Sequence, residues 1–162
     1  MSDLVVRRAT PSDHEAAGAV TVAAYAEFTE GPDDQYVAKL RDAARRDREA
    51  ELWVAERSGE VVGTVTLALP GSPWREIAAE HEGEFRMLAV SPVARRQGVG
   101  EALMGLVTER FRSLGFSGLV LSSLAQMTSA HRVYERHGFR RAPERDWSPR
   151  TGIDLLAYVR EL

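Results

Sequence analysis

Residues 84–100 read EFRMLAVSPVARRQGVG, and this stretch decides the fold because it places a glycine-containing loop between two regular elements. Its apolar first half, residues 84–90, predicts a strand that a short polar turn follows. Apolar residues then recur every three or four positions over 98–114, which predicts a helix with one buried face. The residues predicted to point into the core are Val99, Leu103, Leu106, Val107, Phe111 and Leu114.

The loop itself, Arg95-Arg96-Gln97-Gly98-Val99-Gly100, predicts a site for an anion. Glycines at the start of a helix let backbone N–H groups converge at the positive end of the helix dipole. Arg95 and Arg96 add positive charge, which suits a pyrophosphate group. A glycine pair can also serve only to allow a tight turn, so the loop taken alone leaves both interpretations open.

Two common nucleotide-binding motifs do not fit this loop. The dinucleotide fingerprint needs a third glycine at position 103, where the chain has Leu103. The P-loop needs Gly-Lys followed by Ser or Thr, where the chain has Gly105-Leu106-Val107. The phosphate-bearing ligand therefore belongs to another class.

The apolar patterning outside this stretch predicts a mixed α/β protein. Thr10-Pro11 opens a helix with a capping pattern, and Gly31-Pro32 is expected to end it. The strands 84–90 and 118–122 are separated by a helix, which favours parallel pairing between them. The helix over 33–48 has a polar face rich in arginine and aspartate and is expected on the surface. The other predicted elements are strands at 4–8, 52–56, 61–69, 139–147 and 153–159 and helices at about 10–28 and 128–137.

Composition limits the class of protein. The chain has 162 residues, of which 44% are apolar and 28% charged, which predicts one globular domain over residues 1–162. The absence of cysteine excludes disulfides, thiolate metal sites and a cysteine nucleophile. A formal net charge of −3 argues against nucleic-acid binding. No apolar run approaches the roughly 18 residues of a membrane span, and the Met-Ser-Asp start does not resemble a signal peptide, so a cytoplasmic location is expected.

Two blocks of the sequence resemble the GCN5-related N-acetyltransferase (GNAT) superfamily. Arg95, Gly98 and Gly100 match its phosphate-loop pattern R/Q-x-x-G-x-G/A, directly after the strand that ends in MLAV. The second block, AHRVYERHGF at 130–139, resembles the family's A-x-x-x-Y-E-x-x-G-F helix end. In one departure, Met127 stands where the family often has asparagine, so a polar contact to the pantetheine arm is absent or comes from Ser129.

The resemblance implies a GNAT-like fold, with a mixed sheet of about six to seven strands flanked by about four helices. In that fold two central parallel strands splay apart, and the pantetheine arm of acetyl-CoA enters between them like an extra strand. A backbone N–H near Leu88 would stabilise the oxyanion formed during transfer. Acetyl-CoA is thus implied as co-substrate, and the implied cofactor-binding residues are Leu88, Ala89, Val90, Arg95, Arg96, Gln97, Gly98, Val99 and Gly100.

Family position also implies two catalytic side chains. Tyr134 would protonate the departing CoA thiolate, although its helical spacing also fits a core tyrosine with a satisfied hydroxyl. Glu84 lies fourteen positions before Gly98, which resembles the position of the glutamate base in histone-type members. A base is needed because a lysine-like ammonium has a pKa of about 10.4. A solvated carboxylate at a strand end is the alternative for Glu84.

The implied reaction is direct transfer to a small-molecule or peptide amine in a ternary complex. Alternatives with the same cofactor site are a catalytically weak acyl-CoA sensor or regulatory protein, O-acylation, and N-terminal acylation of a ribosomal protein. Acidic residues near the acceptor would attract a cation. The candidate wall residues are Tyr25, Phe28, Tyr36 and Trp74, and the acidic residues are Glu76, Glu80 and Glu82.

No metal site is predicted from the four histidines. His14 and His81 lie in separate regions, and His131 with His137 is not a recognised ligand spacing. His137 near a helix end is expected to interact favourably with the helix dipole. An exposed final strand could support a homodimer, and the sequence does not determine the oligomeric state.

Overall fold

The chain alternates strands and helices in the computed structural model, which describes residues 3–31 and 33–162. Pro32, which was expected to help end the first helix, lies outside the described residues. The strands are β1 Leu4–Arg8, β2 Glu51–Arg57, β3 Glu60–Ala68, β4 Glu82–Val90, β5 Gly118–Leu124, β6 Arg140–Arg141, β7 Trp147–Arg150 and β8 Ile153–Glu161. The helices are α1 His14–Tyr25, α2 Gln35–Arg41, α3 Ala43–Glu49, α4 Val99–Ser113 and α5 Thr128–Arg136.

The strands form one mixed sheet in the order β1-β2-β3-β4-β5-β8-β6, and β7 pairs with β8. Only β4 and β5 pair in parallel within the described chain, and the other neighbours are antiparallel. The predicted mixed α/β architecture and its central parallel pair are confirmed. The described residues give eight strands and five helices, somewhat more than expected, because the 33–48 helix and the closing hairpin are each divided.

Helix α4 packs on one face of the sheet and forms the larger core with α5. Its buried apolar residues are Val99, Leu103, Met104, Val107 and Phe111, each at most 1% exposed. Full burial of such a side chain stabilises the fold by about 1.5–3 kcal/mol. Leu114 was expected to join them, but it follows the last helical residue and is 42% exposed. The contact between α4 and β4 is so close that a Cβ on Gly83 would lie 2.3 Å from Phe111 Cδ1.

The prediction of one surface helix over 33–48 is wrong. Asp42 breaks it, with φ −82° and ψ 67°, and its carboxylate accepts the backbone N–H of Arg45 to begin α3. Arg46 is fully buried and donates hydrogen bonds to the carbonyl oxygens of Lys39 and Leu40, both at 2.9 Å. Burial lowers the pKa of Arg46 to about 10. The guanidinium satisfies carbonyls at the end of α2 that a helix leaves without partners, so it joins α2 to α3.

Candidate active site

Strands β4 and β5 separate in the middle of the sheet. They pair only at Glu82 with Gly118, Gly83 with Leu119 and Glu84 with Val120, although both strands continue further. A cavity of about 410 Å³ lies where they diverge, lined from both strands and from α1, α2, α5 and the closing hairpin. Backbone groups at the diverging edges have no neighbouring strand to pair with, so they are available to an extended ligand.

A β-bulge shapes the β4 side of this gap. Thr64 pairs with Ala89 and Thr66 pairs with Arg86, so Met87 and Leu88 both lie opposite the single residue Val65. Met87 has φ +53°, a conformation that costs a non-glycine residue about 1–3 kcal/mol and often marks a functional site. The bulge changes the direction of the strand next to Leu88, which lines the cavity. Ala89 and Val90 remain paired with β3.

The glycine loop precedes α4 and has the geometry of an anion site. Gly98 has φ +83° and caps the helix, and Gly100 lies in its first turn. Arg95 and Arg96 are exposed and make no ion pair with any described residue. Arg57 donates to the side-chain oxygen of Gln97, which holds the loop against β2. The N–H groups of the first helical turn have no partner within the helix, so an anion here would meet both donors and positive charge.

Tyr134 lies on α5 and lines the cavity, with only 7% of its surface exposed. Its ring makes edge contacts with Phe85 and Phe139, at centroid distances of 6.2 and 6.0 Å. No described residue forms a hydrogen bond with its hydroxyl. A core tyrosine would be expected to satisfy that group, so the arrangement favours a functional hydroxyl. Burial raises the pKa of Tyr134 well above its ordinary value, which keeps the hydroxyl protonated and suits a proton donor.

Glu84 has a different environment from the one expected of a solvated strand end. It is fully buried, and its Oε1 accepts the backbone N–H groups of Glu76, Ile77 and Ala78 at 2.9–3.1 Å. Its Oε2 is buried and has no hydrogen-bond partner among the described residues, and Glu84 does not line the cavity. The carboxylate therefore anchors the loop before β4. Its role as general base stays a prediction.

Glu76 is the loop carboxylate that reaches the cavity. Its Oε1 lies 3.2 Å from Nε of Arg86, and burial raises the pKa of Glu76. Of the other acidic residues, Glu80 is exposed and Glu82 pairs with Arg145 away from the cavity. Sequence reasoning missed Arg86, although a single arginine inside the apolar run 84–90 was a visible signal.

Three of the four expected wall residues, Tyr25, Phe28 and Tyr36, line the cavity. Trp74 is not part of the lining, because it is buried, 3% exposed, in a core cluster with Leu40. Met127, which stands where the family often has asparagine, also lines the cavity. Ser129, the suggested replacement donor, is exposed and does not.

Glu84→Gln separates the structural role of Glu84 from catalysis. Glutamine retains an Oε1 that can accept the three loop N–H groups but cannot take a proton from an ammonium. If Glu84 is the base, kcat/KM should fall on the order of 100-fold near neutral pH, with the deficit shrinking as solution deprotonates the amine. The pH profile of kcat/KM for wild type, Glu84→Gln and Glu76→Gln measures this. A Glu84→Gln profile that overlays the wild type, with the loss in Glu76→Gln instead, would contradict the prediction and assign the base to the cavity carboxylate.

Three of the four histidines, His14, His131 and His137, have side-chain partners among the described residues. Nε2 of His14 lies 2.8 Å from Asp47, and Nε2 of His131 lies 3.1 Å from Ser123 Oγ. His137 pairs with Glu101 of α4. No group of three His, Asp or Glu side chains in the described chain could hold a metal ion. Within the same residues, no helix has the length and apolar character needed to cross a membrane.

Comparison with solved structures shows what this architecture is similar to. An acetyltransferase of the GNAT family from Staphylococcus aureus Mu50 aligns with a TM-score of 0.75 and 17% identity, covering 98% of this chain and 99% of that one. The PaiA N-acetyltransferase from Thermoplasma acidophilum, in complex with coenzyme A, aligns with a TM-score of 0.74 and 14% identity over 99% of both chains. At these identities the likeness shows the fold.

Sequence comparison supplies the family. A mycothiol acetyltransferase from Cellulomonas flavigena is 32% identical over 127 residues, which are 73% of this chain and 34% of that protein. The chain therefore spans about a third of the length of this curated relative. The model of the acetyltransferase (GNAT) family matches residues 19–139. Because that match includes the separated strands, the glycine loop and Tyr134, the chain belongs to the GNAT acetyltransferase family.

Proposed function

We propose that the chain is an N-acetyltransferase that moves an acetyl group from acetyl-CoA to an amine by direct transfer in a ternary complex. The observation that carries this proposal is the separation of β4 and β5 beyond Glu84 and Val120, next to a cavity that contains Tyr134. The exposed Arg95 and Arg96 and the start of α4 would hold the phosphates. We also propose that acetyl-CoA is the co-substrate, that residues 1–162 form one domain and that the protein is cytoplasmic.

The residues around the gap have distinct parts in the proposed chemistry. The bulge would present the backbone N–H of Leu88 to the thioester oxygen, where negative charge develops as the amine attacks. Tyr134 would give its proton to the sulfur as the carbon–sulfur bond breaks, which prevents the thiolate from attacking in reverse. A base takes one proton from the ammonium before attack, and Glu84 is the proposed residue. The nitrogen loses its second proton as the tetrahedral intermediate collapses, and this proton restores the Tyr134 hydroxyl, through solvent, after the transfer to sulfur. No side chain is acetylated on the way.

An assay of acceptor-dependent thiol release tests the enzyme against the acyl-CoA sensor. The purified chain is given acetyl-CoA alone, and then acetyl-CoA with each member of an amine panel, while free CoA is measured. We expect slow release without an amine and an increase of at least about 100-fold with an accepted one, because proximity of two bound reactants lowers the barrier. Tight acetyl-CoA binding with no release for any amine would instead support the sensor.

A further inference from the structure

Three charged side chains that line the cavity, Lys39, Glu76 and Arg86, form a cluster beside the buried ring of Trp74. Lys39 from α2 places Nζ 5.1 Å from the ring centroid, and Arg86 from β4 places Cζ 5.2 Å from it. Glu76 from the loop pairs with Arg86 through Nε. Arg45 also approaches the ring, but it is neutralised by Glu49 at 2.9 Å.

Positive charge exceeds negative charge in this cavity. Its lining includes three cationic side chains, Lys39, Arg86 and Arg150, against two carboxylates, Asp34 and Glu76. Asp34 accepts the backbone N–H groups of Glu30 and Tyr36. The ammonium group of Lys39 forms no hydrogen bond or ion pair with any described residue, and Glu76 is the one carboxylate among the described residues that pairs with Arg86.

The excess positive charge of the cavity is not expected to bind the phosphates of CoA, which are assigned to another site. The exposed Arg95 and Arg96, at the start of α4, do not line this cavity. An acceptor bearing only ammonium groups would meet like charges at Lys39 and Arg86 in a partly desolvated site, which is unfavourable. Partial burial, and after it the neighbouring Arg86, lower the pKa of Lys39 although Glu76 acts in the opposite direction, so this one carboxylate does not balance the cations around it.

We propose that the acceptor is an amine that also carries a carboxylate, of the amino-acid class, and that Lys39 and Arg86 hold this carboxylate. The inference rests on the proposed acetyl transfer to an amine. Guanidinium and ammonium groups converging from two elements suit a carboxylate because they give charge-assisted hydrogen bonds from both sides. Polyamines and aminoglycosides, which bear several positive charges, are disfavoured by the same cluster.

The test compares each amino acid with two matched probes, its primary amide and its decarboxylated amine. We expect the acid to exceed both in kcat/KM by about 10- to 100-fold, the range for loss of a charged hydrogen bond. Amine reactivity cannot explain this preference over the amide, because the amide's amine is the less basic one and is more often deprotonated. Equal or faster acetylation of the amide or the decarboxylated amine would overturn the proposal.

Two variants test whether Lys39 is the cause of the preference for the amino acid over its amide. Lys39→Met removes the charge and keeps much of the side-chain length, and we expect KM for the acid to rise about 10-fold. KM for acetyl-CoA and for the amide should not change. Arg41→Met, an exposed position on the same helix outside the cavity, is the control and should match the wild type. Equal loss for acid and amide in Lys39→Met would contradict the assignment, whereas failure to acetylate any amine would count against the proposed function itself.

Discussion

Replacing Gly100 with valine is expected to weaken acetyl-CoA binding by at least about 100-fold while the chain stays folded. The valine side chain would occupy the space through which a phosphate approaches the N–H groups of the first turn of α4. Within the described chain, a Cβ at this position meets only Val90 Cγ2, at 3.9 Å, which is an ordinary contact. Gly98 is a less suitable site because its φ of +83° makes any side chain strained.

Gly105→Ala is the matched control on the same helix. A Cβ at Gly105 meets no atom of the described residues within 4 Å, so the change should stabilise α4 by about 0.5–1 kcal/mol and leave acetyl-CoA affinity unaltered. Calorimetry measures both affinities, and thermal unfolding shows whether acetyl-CoA still raises Tm. NAD, ATP and S-adenosylmethionine should raise Tm much less. Unchanged acetyl-CoA affinity in Gly100→Val would place the phosphates elsewhere.

Tyr134→Phe should lower kcat on the order of 10- to 1,000-fold and leave acetyl-CoA affinity nearly unchanged. The substitution removes only the hydroxyl, which has no described partner, and keeps the ring packed against Phe85 and Phe139. Because burial raises the pKa of this hydroxyl, it stays protonated through the assay range, and its titration adds no step to the rate profile below about pH 10.

Tyr158→Phe provides the control for this change. Tyr158 is a buried neighbour of Tyr134, with ring centroids 6.1 Å apart, but it does not line the cavity. Its variant should retain nearly full activity, measured by steady-state kinetics with one amine. Thioesters with better leaving thiols should lose less in Tyr134→Phe, since they need less protonation. Equal activity of Tyr134→Phe and wild type would return Tyr134 to a purely structural role.

The sequence was informative where periodicity or a fixed motif determines structure. The strand at 84–90, the glycine loop and the apolar face of α4 follow from local patterns, and the structure has all three. The break at Asp42 could not be predicted, because it depends on Arg46 reaching carbonyls of another helix. The bulge at Met87 was equally hidden, since the sequence has no glycine or asparagine there to indicate a positive φ.

The sequence predicted which segments form the site and several side chains that line it, but not the environment of its charged side chains. Sequence motifs identified the loop and Tyr134. They could not show that Oε1 of Glu84 accepts hydrogen bonds from three loop N–H groups. Nor could they place Lys39 and Arg86 around one ring, because these residues are far apart in the chain. Side chains that meet through tertiary packing are the part that one sequence leaves open.

The most direct test of the account follows an isotope-labelled acetyl group from acetyl-CoA by mass spectrometry. The chain is incubated with labelled acetyl-CoA and an accepted amine, and the masses of both the amine and the intact protein are measured. Direct transfer predicts one labelled acetyl group on the amine for each CoA released, with the mass of the protein unchanged throughout. CoA release without acetylated amine, or a labelled acetyl group that resides on the protein before the amine is added, would contradict direct transfer.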